Sequence, residues 1–378
     1  MSDHFAYPLA LMVNPPAPRA RSRSLARKFK PLSEFIRARI ADGLIPGAVV
    51  AAGRRGRVVY HAAHGHRALR PRRERMTVTT IFDLASLTKV MATAPVLVEH
   101  AARGAFSLLD PLERHLPETA GTEVGRIPLH RLLTHTAGFV PDNPLPDYGG
   151  SKRALFAAIA REPLEAPPGA RFTYSDVGYV LAQGVAERRL RKRLDALAEE
   201  LLFVPLRFRD TRFGTRRKDR GRVAPTERVG ASWLRGMVHD PRARTRALAG
   251  VGGHAGMFGT AREVARFCEM ILRRGLMGRR RILAEETVRA MTTDQCEGNL
   301  GVRRGFGFDI ESPYSAPRGA TFSRASFGHS GWTGVSLWID PEMDAYLVLL
   351  TNAIHPDGHK DLKAFRYEAA TLAAKAMR

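Results

Sequence analysis

Phe82-Asp83-Leu84-Ala85-Ser86-Leu87-Thr88-Lys89 places a serine three residues before a lysine, where a β-rich segment gives way to a helical one. On a helix, positions i and i+3 share a face, so Ser86 Oγ and Lys89 Nζ are expected to meet. A serine hydroxyl is a poor nucleophile at neutral pH and needs a base beside it. Lysine is such a base if burial or neighbouring cations lower its pKa. A serine in the first helical turn also sits among free N–H groups and the positive end of the helix dipole, which favour an oxyanion. The tetrapeptide alone is equally a helix-capping serine with a solvated lysine. The apolar run that follows, Val90 to Val98, favours a buried Lys89, and a buried lysine needs a reason.

Working outward, a helix is expected over 32–42, with Phe35, Ile36 and Ile40 on one face and Gly43 and Pro46 closing it. Strands are expected over 47–52 and 57–63, around a turn at 53–56. The Ser86 helix is expected to stop near Arg103-Gly104. A short helix in 131–138 and helices at 151–160, 176–189, 194–202, 261–274 and 284–291 fill the middle. Strands return at 305–310, 325–329, 334–339 and 345–351, the last two turned by Asp340 to Asp344, and a helix over 360–376 ends the chain. Strands, then helices, then strands suggest one α/β sheet drawn from both ends of the chain, with a helical insertion. The expected division is residues 29–130 plus 295–378 for the α/β part and 131–294 for the insertion. Residues 1–28 read as a basic, poorly ordered tail.

The chain has 378 residues, enough for a large core, and 44% of them are apolar. Its formal charge of +23 is spread over arginine-rich stretches such as Arg70 to Arg75 and Arg207 to Arg222. Such a balance fits an anionic polymer as partner or simply solvated arginine faces. The basic stretches lack interleaved aromatics, so no specific nucleic-acid binding is expected. Cys268 and Cys296 are in no ligand-like spacing, so no metal site is expected, and nothing demands a disulfide. No apolar run is long enough to span a bilayer. The first 27 residues carry their charges after the apolar part, the wrong order for a secretory signal. A cytoplasmic protein is expected from the chain as written, or a periplasmic one if its start is misassigned.

Two further stretches complete a candidate site. Tyr174, in Arg171-Phe172-Thr173-Tyr174-Ser175-Asp176 after Pro167-Pro168-Gly169, can be aimed at a cleft and act as a proton shuttle if positive charge favours its phenolate. Otherwise it is a buried aromatic with a satisfied hydroxyl. Phe327-Gly328-His329-Ser330-Gly331-Trp332-Thr333-Gly334 reads as an edge strand that can pair with a peptide-like substrate and offer the Trp332 N–H to an oxyanion. The bland reading is an edge strand with one solvated histidine.

Together these stretches resemble the serine β-lactamase and penicillin-binding group, most of all the class C β-lactamase-related hydrolases, which include esterases and D-peptidases. Ser86-Leu87-Thr88-Lys89 matches the first motif of that group. Tyr174-Ser175-Asp176 matches Tyr-x-Asn, and His329-Ser330-Gly331 matches Lys-Thr-Gly in a His-x-Gly form. Leu132 to Gly138 and Leu349 to Asn352 are similar to further stretches of the family, and the resemblance spans about residues 32 to 375.

The resemblance implies a β-lactamase/transpeptidase-like antiparallel sheet flanked by helices. It implies an acyl-enzyme route in which Ser86 attacks a carbonyl while Lys89 and Tyr174 handle the proton. The N–H groups of Ser86 and Trp332 would hold the oxyanion. His329 counts with the catalytic set, and Asp176, Ser330 and Gly331 with the substrate-binding residues. His254, within Gly252-Gly253-His254-Ala255-Gly256, is counted with the substrate-binding residues as a lining of the cleft, with a turn-stabilising role as the alternative. No metal or organic cofactor is implied. Asp176 for asparagine and His329 for lysine speak against strong β-lactam hydrolysis and for an ester, a D-amino-acid peptide or an amide as the small-molecule substrate. The alternative is a catalytically idle scaffold that binds an anionic polymer.

Overall fold

The computed structural model describes residues 27–378. The expected basic tail lies, through residue 26, outside the described residues.

The centre is an eight-stranded antiparallel sheet built from both ends of the chain. The N-terminal end supplies β1 (Gly47–Arg54), β2 (Arg57–Ala68) and β3 (Glu74–Arg75). A short β4 (Phe82–Asp83), β5 (Arg212–Phe213) and β6 (Met257–Gly259) form a separate small sheet in the order β4-β6-β5. The C-terminal end supplies β7 (Arg303–Arg304), β8 (Asp309–Glu311), β9 (Phe327–Ser330), β10 (Ser336–Asp340) and β11 (Ala345–Thr351). The large sheet runs β7-β8-β9-β10-β11-β1-β2-β3.

β1 and β11 explain why the chain's ends meet. Val49 and Ala51 point into one apolar cluster, and Ala48, Val50 and Ala52 into another, the period of two that a strand imposes. β1 is therefore covered on both faces. Helices α1 (Lys30–Ala41) and α6 (Lys363–Met377) cover one side through Leu32, Ile36, Phe365, Ala369 and Ala373. Helix α5 (Ala261–Leu272) covers the other through Val264, Phe267 and Ile271, together with the helical segment that follows Ser86. The remaining helices that concern the site are α2 (Ala94–Ala102), α3 (Leu129–Thr134) and α4 (Asp176–Leu190).

Three local expectations are corrected. The helix after Ser86 opens with a π-helical turn, Lys89–Thr93, before α2 begins. The strand expected over 305–310 is two short pieces, β7 and β8, because the intervening Gly305 to Phe308 turns back on itself with Gly305 N–H donating to Phe308 O. The strand carrying His329 is not at the sheet edge: β9 pairs along its length with β10, and with β8 only at Asp309–Gly328. His329 and Ser330 have no register partner on the β8 side, so part of the edge character survives. Gly328 itself is required, since a Cβ there would lie 2.1 Å from the Trp338 ring. Both cysteines are free. Among the described residues no helix is long and apolar enough to cross a membrane.

Candidate active site

Ser86 is presented by a turn that Asp83 organises. Asp83 is buried, and its carboxylate accepts the Ala85 N–H at 2.9 Å and the His239 N–H at 2.7 Å. Its carbonyl accepts Thr333 Oγ1 at 2.9 Å. One residue thus ties together the nucleophile turn, the 239–243 loop and the segment after β9. Ala85 adopts φ +45°, a left-handed conformation that costs a residue with a Cβ and is tolerated where surrounding contacts enforce it. Gly331 packs directly on this turn: a Cβ at 331 would lie 2.9 Å from Ala85 Cβ and 3.1 Å from Leu84 O. The strand carrying His329 therefore passes directly beside Ser86. Among the described residues, the backbone N–H groups of Ser86 and Trp332 donate to no protein acceptor, which leaves both open to a ligand oxygen.

Lys89 is fully buried. Its Nζ lies 3.0 Å from Ser86 Oγ, 3.2 Å from the His254 carbonyl and 2.5 Å from Asp176 Oδ1, and it sits 5.0 Å from the centre of the Tyr174 ring. The i, i+3 expectation for Ser86 and Lys89 holds. The expected lowering of the lysine pKa does not. Burial pulls it down, but Asp176 and then Tyr174 outweigh burial and hold Lys89 as an ammonium, above the ordinary lysine range. Asp176, expected among substrate contacts, is committed to this ion pair from the first turn of α4. Its charge, after burial, pushes the neighbouring Asp142 carboxyl up.

The His254 ring, expected to line the cleft or to stabilise a turn, is 1% exposed and its Nε2 pairs with Asp240 Oδ1 at 3.0 Å. Burial lowers its pKa, Asp240 raises it more, and the net direction is up. Asp240 is pushed up by burial and pulled down further by His254, so its carboxylate is held well below the usual range.

On the other side of Lys89 the aromatic residues gather. His135, left-handed at φ 58° just past α3, stacks on Tyr174 with ring centres 4.4 Å apart and accepts the Ser175 N–H at Nδ1. Tyr314 and His329 flank the same tyrosine at 5.1 and 6.0 Å. His135 and His329 are buried, and burial first, then the positive charges of Arg304 and Lys89, push both pKa values well down. His329 is a neutral ring whose Nδ1 sits 2.8 Å from Ser330 O. Ser330 is half-buried, and the Gly331 carbonyl accepts Arg366 Nη2 at 2.7 Å. The Trp332 side chain points to solvent at 56% exposure and stacks on His359.

The three stretches singled out from sequence therefore converge around Lys89 and the Ser86 turn. Sequence reading missed Asp83, Asp240 and Arg304, which belong to no motif, and gave His135 no role although its stretch was noted. Asp176, Asp240 and His254 bring side-chain atoms within 4.8 Å of one another. Asp176 already faces Lys89 Nζ and Asp240 already pairs with the His254 ring, so each carboxylate has a protein partner in place. A cavity of about 1200 Å³ lined by Phe106, His115, His130, Arg189 and Phe306 lies apart from Ser86, Lys89 and Tyr174, none of which lines it.

With that geometry established, the comparisons place the chain. It belongs to the Beta-lactamase family, whose sequence profile matches residues 32–371. It is similar to an N-acetylmuramyl-L-alanine amidase of Bacillus subtilis, 27% identical over 94% of this chain and 88% of the relative. It is also similar to a putative D-alanyl-D-alanine carboxypeptidase of Escherichia coli, 30% identical over 74% of this chain and 70% of the relative. Among solved structures, a class C β-lactamase from Rhodobacter sphaeroides superposes with a TM-score of 0.70 at 19% identity, over 94% of this chain and 98% of that one. EstCE1, a hydrolase with promiscuous acyltransferase activity, superposes at 0.72 and 24% identity, over 93% and 99%. The expected β-lactamase/transpeptidase-like fold is thus the observed one.

Proposed function

We propose that the protein is a serine hydrolase that opens an amide or ester carbonyl through an acyl-enzyme on Ser86, with amides of cell-wall-derived muramyl or D-alanyl compounds as the favoured substrates. The observation that carries this reading is the 3.0 Å contact of Ser86 Oγ with a fully buried Lys89. The names of the two curated relatives direct it to amides.

In this reading the carbonyl oxygen sits between the free N–H groups of Ser86 and Trp332. Ser86 Oγ bonds to the carbonyl carbon, the C=O electron pair moves onto oxygen, and the Ser86 proton passes to Tyr174, for which the phenolate is the accepting form. Lys89, held as an ammonium, supplies positive charge and orientation instead of taking that proton. Tyr174 then returns the proton to the leaving nitrogen or oxygen, and water releases the acyl group by the reverse sequence. The unpaired flank of β9 at His329 and Ser330 suits an extended, peptide-like substrate.

The test is a fluorophosphonate probe with mass-spectrometric site mapping, alongside turnover of N-acetylmuramyl-L-alanine, a D-Ala-D-Ala peptide, a nitrophenyl ester and a penicillin. Labelling at Ser86, lost in Ser86→Ala, and turnover of at least one amide support the reading. No labelling and no turnover would leave the family fold as an idle scaffold, for which salt-dependent binding of an anionic polymer is the readout.

A further inference from the structure

Asp240 and His254 take no part in those steps, yet both are buried, at 8% and 1% exposure, and meet at 3.0 Å. A buried ion pair is weak evidence of added stability, because desolvation offsets its attraction. Its placement gives it a different use. The His254 carbonyl is one of the acceptors of Lys89 Nζ. The peptide before it is clamped from both sides: Gly253 O accepts Thr93 Oγ1 at 2.6 Å and Gly253 N–H donates to Gln183 Oε1 at 2.8 Å. The His254 ring is clamped by Asp240, which in turn accepts the Ala243 N–H at 2.7 Å. Lys89 Nζ therefore faces three fixed acceptors, Ser86 Oγ, the His254 carbonyl and Asp176. An ammonium has three hydrogens to meet them and a neutral amine has two.

Charge alternates through the same residues. Lys89 touches Asp176, and Asp176 lies within 4.8 Å of the Asp240–His254 pair. Asp142 adds a further carboxylate beside Asp176, countered by Arg242 at 3.5 Å, and His239 faces Asp240.

We propose that Asp240 and His254 are positioning residues for catalysis: the pair fixes the carbonyl that orients Lys89, and its imidazolium offsets one of two adjoining carboxylates, so that the pocket is not left negative when an oxyanion forms on attack by Ser86. The proposal rests on Ser86 being the nucleophile. Two carboxylates beside one lysine would leave the pocket negative and oppose an oxyanion, and the imidazolium restores neutrality. When His254 loses its proton as pH rises, that balance fails and acylation slows, by about tenfold or more for a charge within several ångströms in a part-polar interior.

The experiment follows the rate of fluorophosphonate labelling from about pH 5 to about pH 10 in the wild type, Asp240→Asn and Asp240→Glu. The expected result is an alkaline break in the wild type that moves to lower pH by about one unit or more in Asp240→Asn, since the imidazole then has burial acting on it without its counter-charge. Asp240→Glu returns the break toward its original position. If Asp240→Asn does not fold, His254→Gln serves, because it keeps the backbone carbonyl, and its profile is expected to lack the break. A variant slowed equally at every pH, or one whose break stays where the wild type has it, overturns the proposal and leaves the pair a packing feature. Wild-type protein that takes no label at any pH overturns the nucleophile reading instead, a result that separates the two failures.

Discussion

His254 and His329 are both buried imidazoles beside one lysine, and their pKa values are pushed in opposite directions. Burial acts on both in the same direction, against the proton. At His254 a carboxylate at 3.0 Å overcomes it. At His329, and at His135 beside it, the next strongest influence is Arg304, which adds to burial. The site therefore has a charged wall, made of Asp176, Asp240 and His254, and an aromatic wall, made of Tyr174, His135 and His329, with Lys89 between them. A histidine in a motif position does not fix its own charge, and the group packed against it does.

The comparison breaks most visibly at Arg304. This side chain is buried with Asp309 Oδ1 at 3.3 Å from Nη1. Arg304→Met leaves Asp309 buried without its partner, and a loss of about 3–5 kcal/mol is expected in denaturant unfolding. In whatever fraction still folds, His135 and His329 should also titrate closer to neutral pH, which imidazole NMR resolves.

Gly331→Ala attacks the seam where the aromatic wall's strand passes the nucleophile. Its Cβ would lie 2.7 Å from Val335 Cγ2 and 2.9 Å from Ala85 Cβ. Because a displacement of about 1 Å at the reacting atoms costs on the order of a hundredfold, labelling of Ser86 should slow by that factor while the fold persists.

Asp176→Asn sharpens the charged wall. The amide keeps the shape and removes the charge that holds Lys89 protonated, so burial, the first influence on that lysine, dominates. A new ionisation, below the ordinary lysine range by about one unit or more, should then enter the pH profile of labelling. A profile that superposes on the wild type's would show that Asp176 does not set the lysine's charge.

The smallest expected effects are on stability against pH. His329 is pushed well below 6.5 in the folded state, so below pH 6.5 the unfolded chain binds the extra proton and stability is lost as pH falls. His254 is raised above 6.5, so its contribution is complete below 6.5 and is lost as pH rises through its folded value. Hence His329→Gln should flatten the dependence of Tm on pH on the acid side, and His254→Gln on the alkaline side, by about 1–3 °C each in a chain of this size. Thermal melts in matched buffers test both, and exchanged sides would invert the assignment of the two walls.

Much of this was legible before any coordinates. The short apolar run of β1 and the turn from Gly53 to Gly56 placed the first hairpin, and the strand-helix-strand order placed the sheet. Ser86, Lys89 and Tyr174 were legible because local spacing and a rigid Pro-Pro-Gly approach carry their own geometry. The direction of the Lys89 shift was not legible. It depends on Asp176, 87 positions away along the chain, lying 2.5 Å from the lysine. Asp240 and Arg304 left no trace in sequence for the same reason. Each acts on residues that only packing brings near, and neither stands in a spaced pattern.

What the amino-acid order determined by itself is the set of short-range relations: a serine and a lysine on one helical face, glycines where another segment passes close, a first hairpin turned at Gly53 to Gly56. What only the tertiary structure decided is charge. Protonation inside a protein depends on distances of a few ångströms between residues distant in sequence, and those distances do not exist until the sheet and its covering helices have closed.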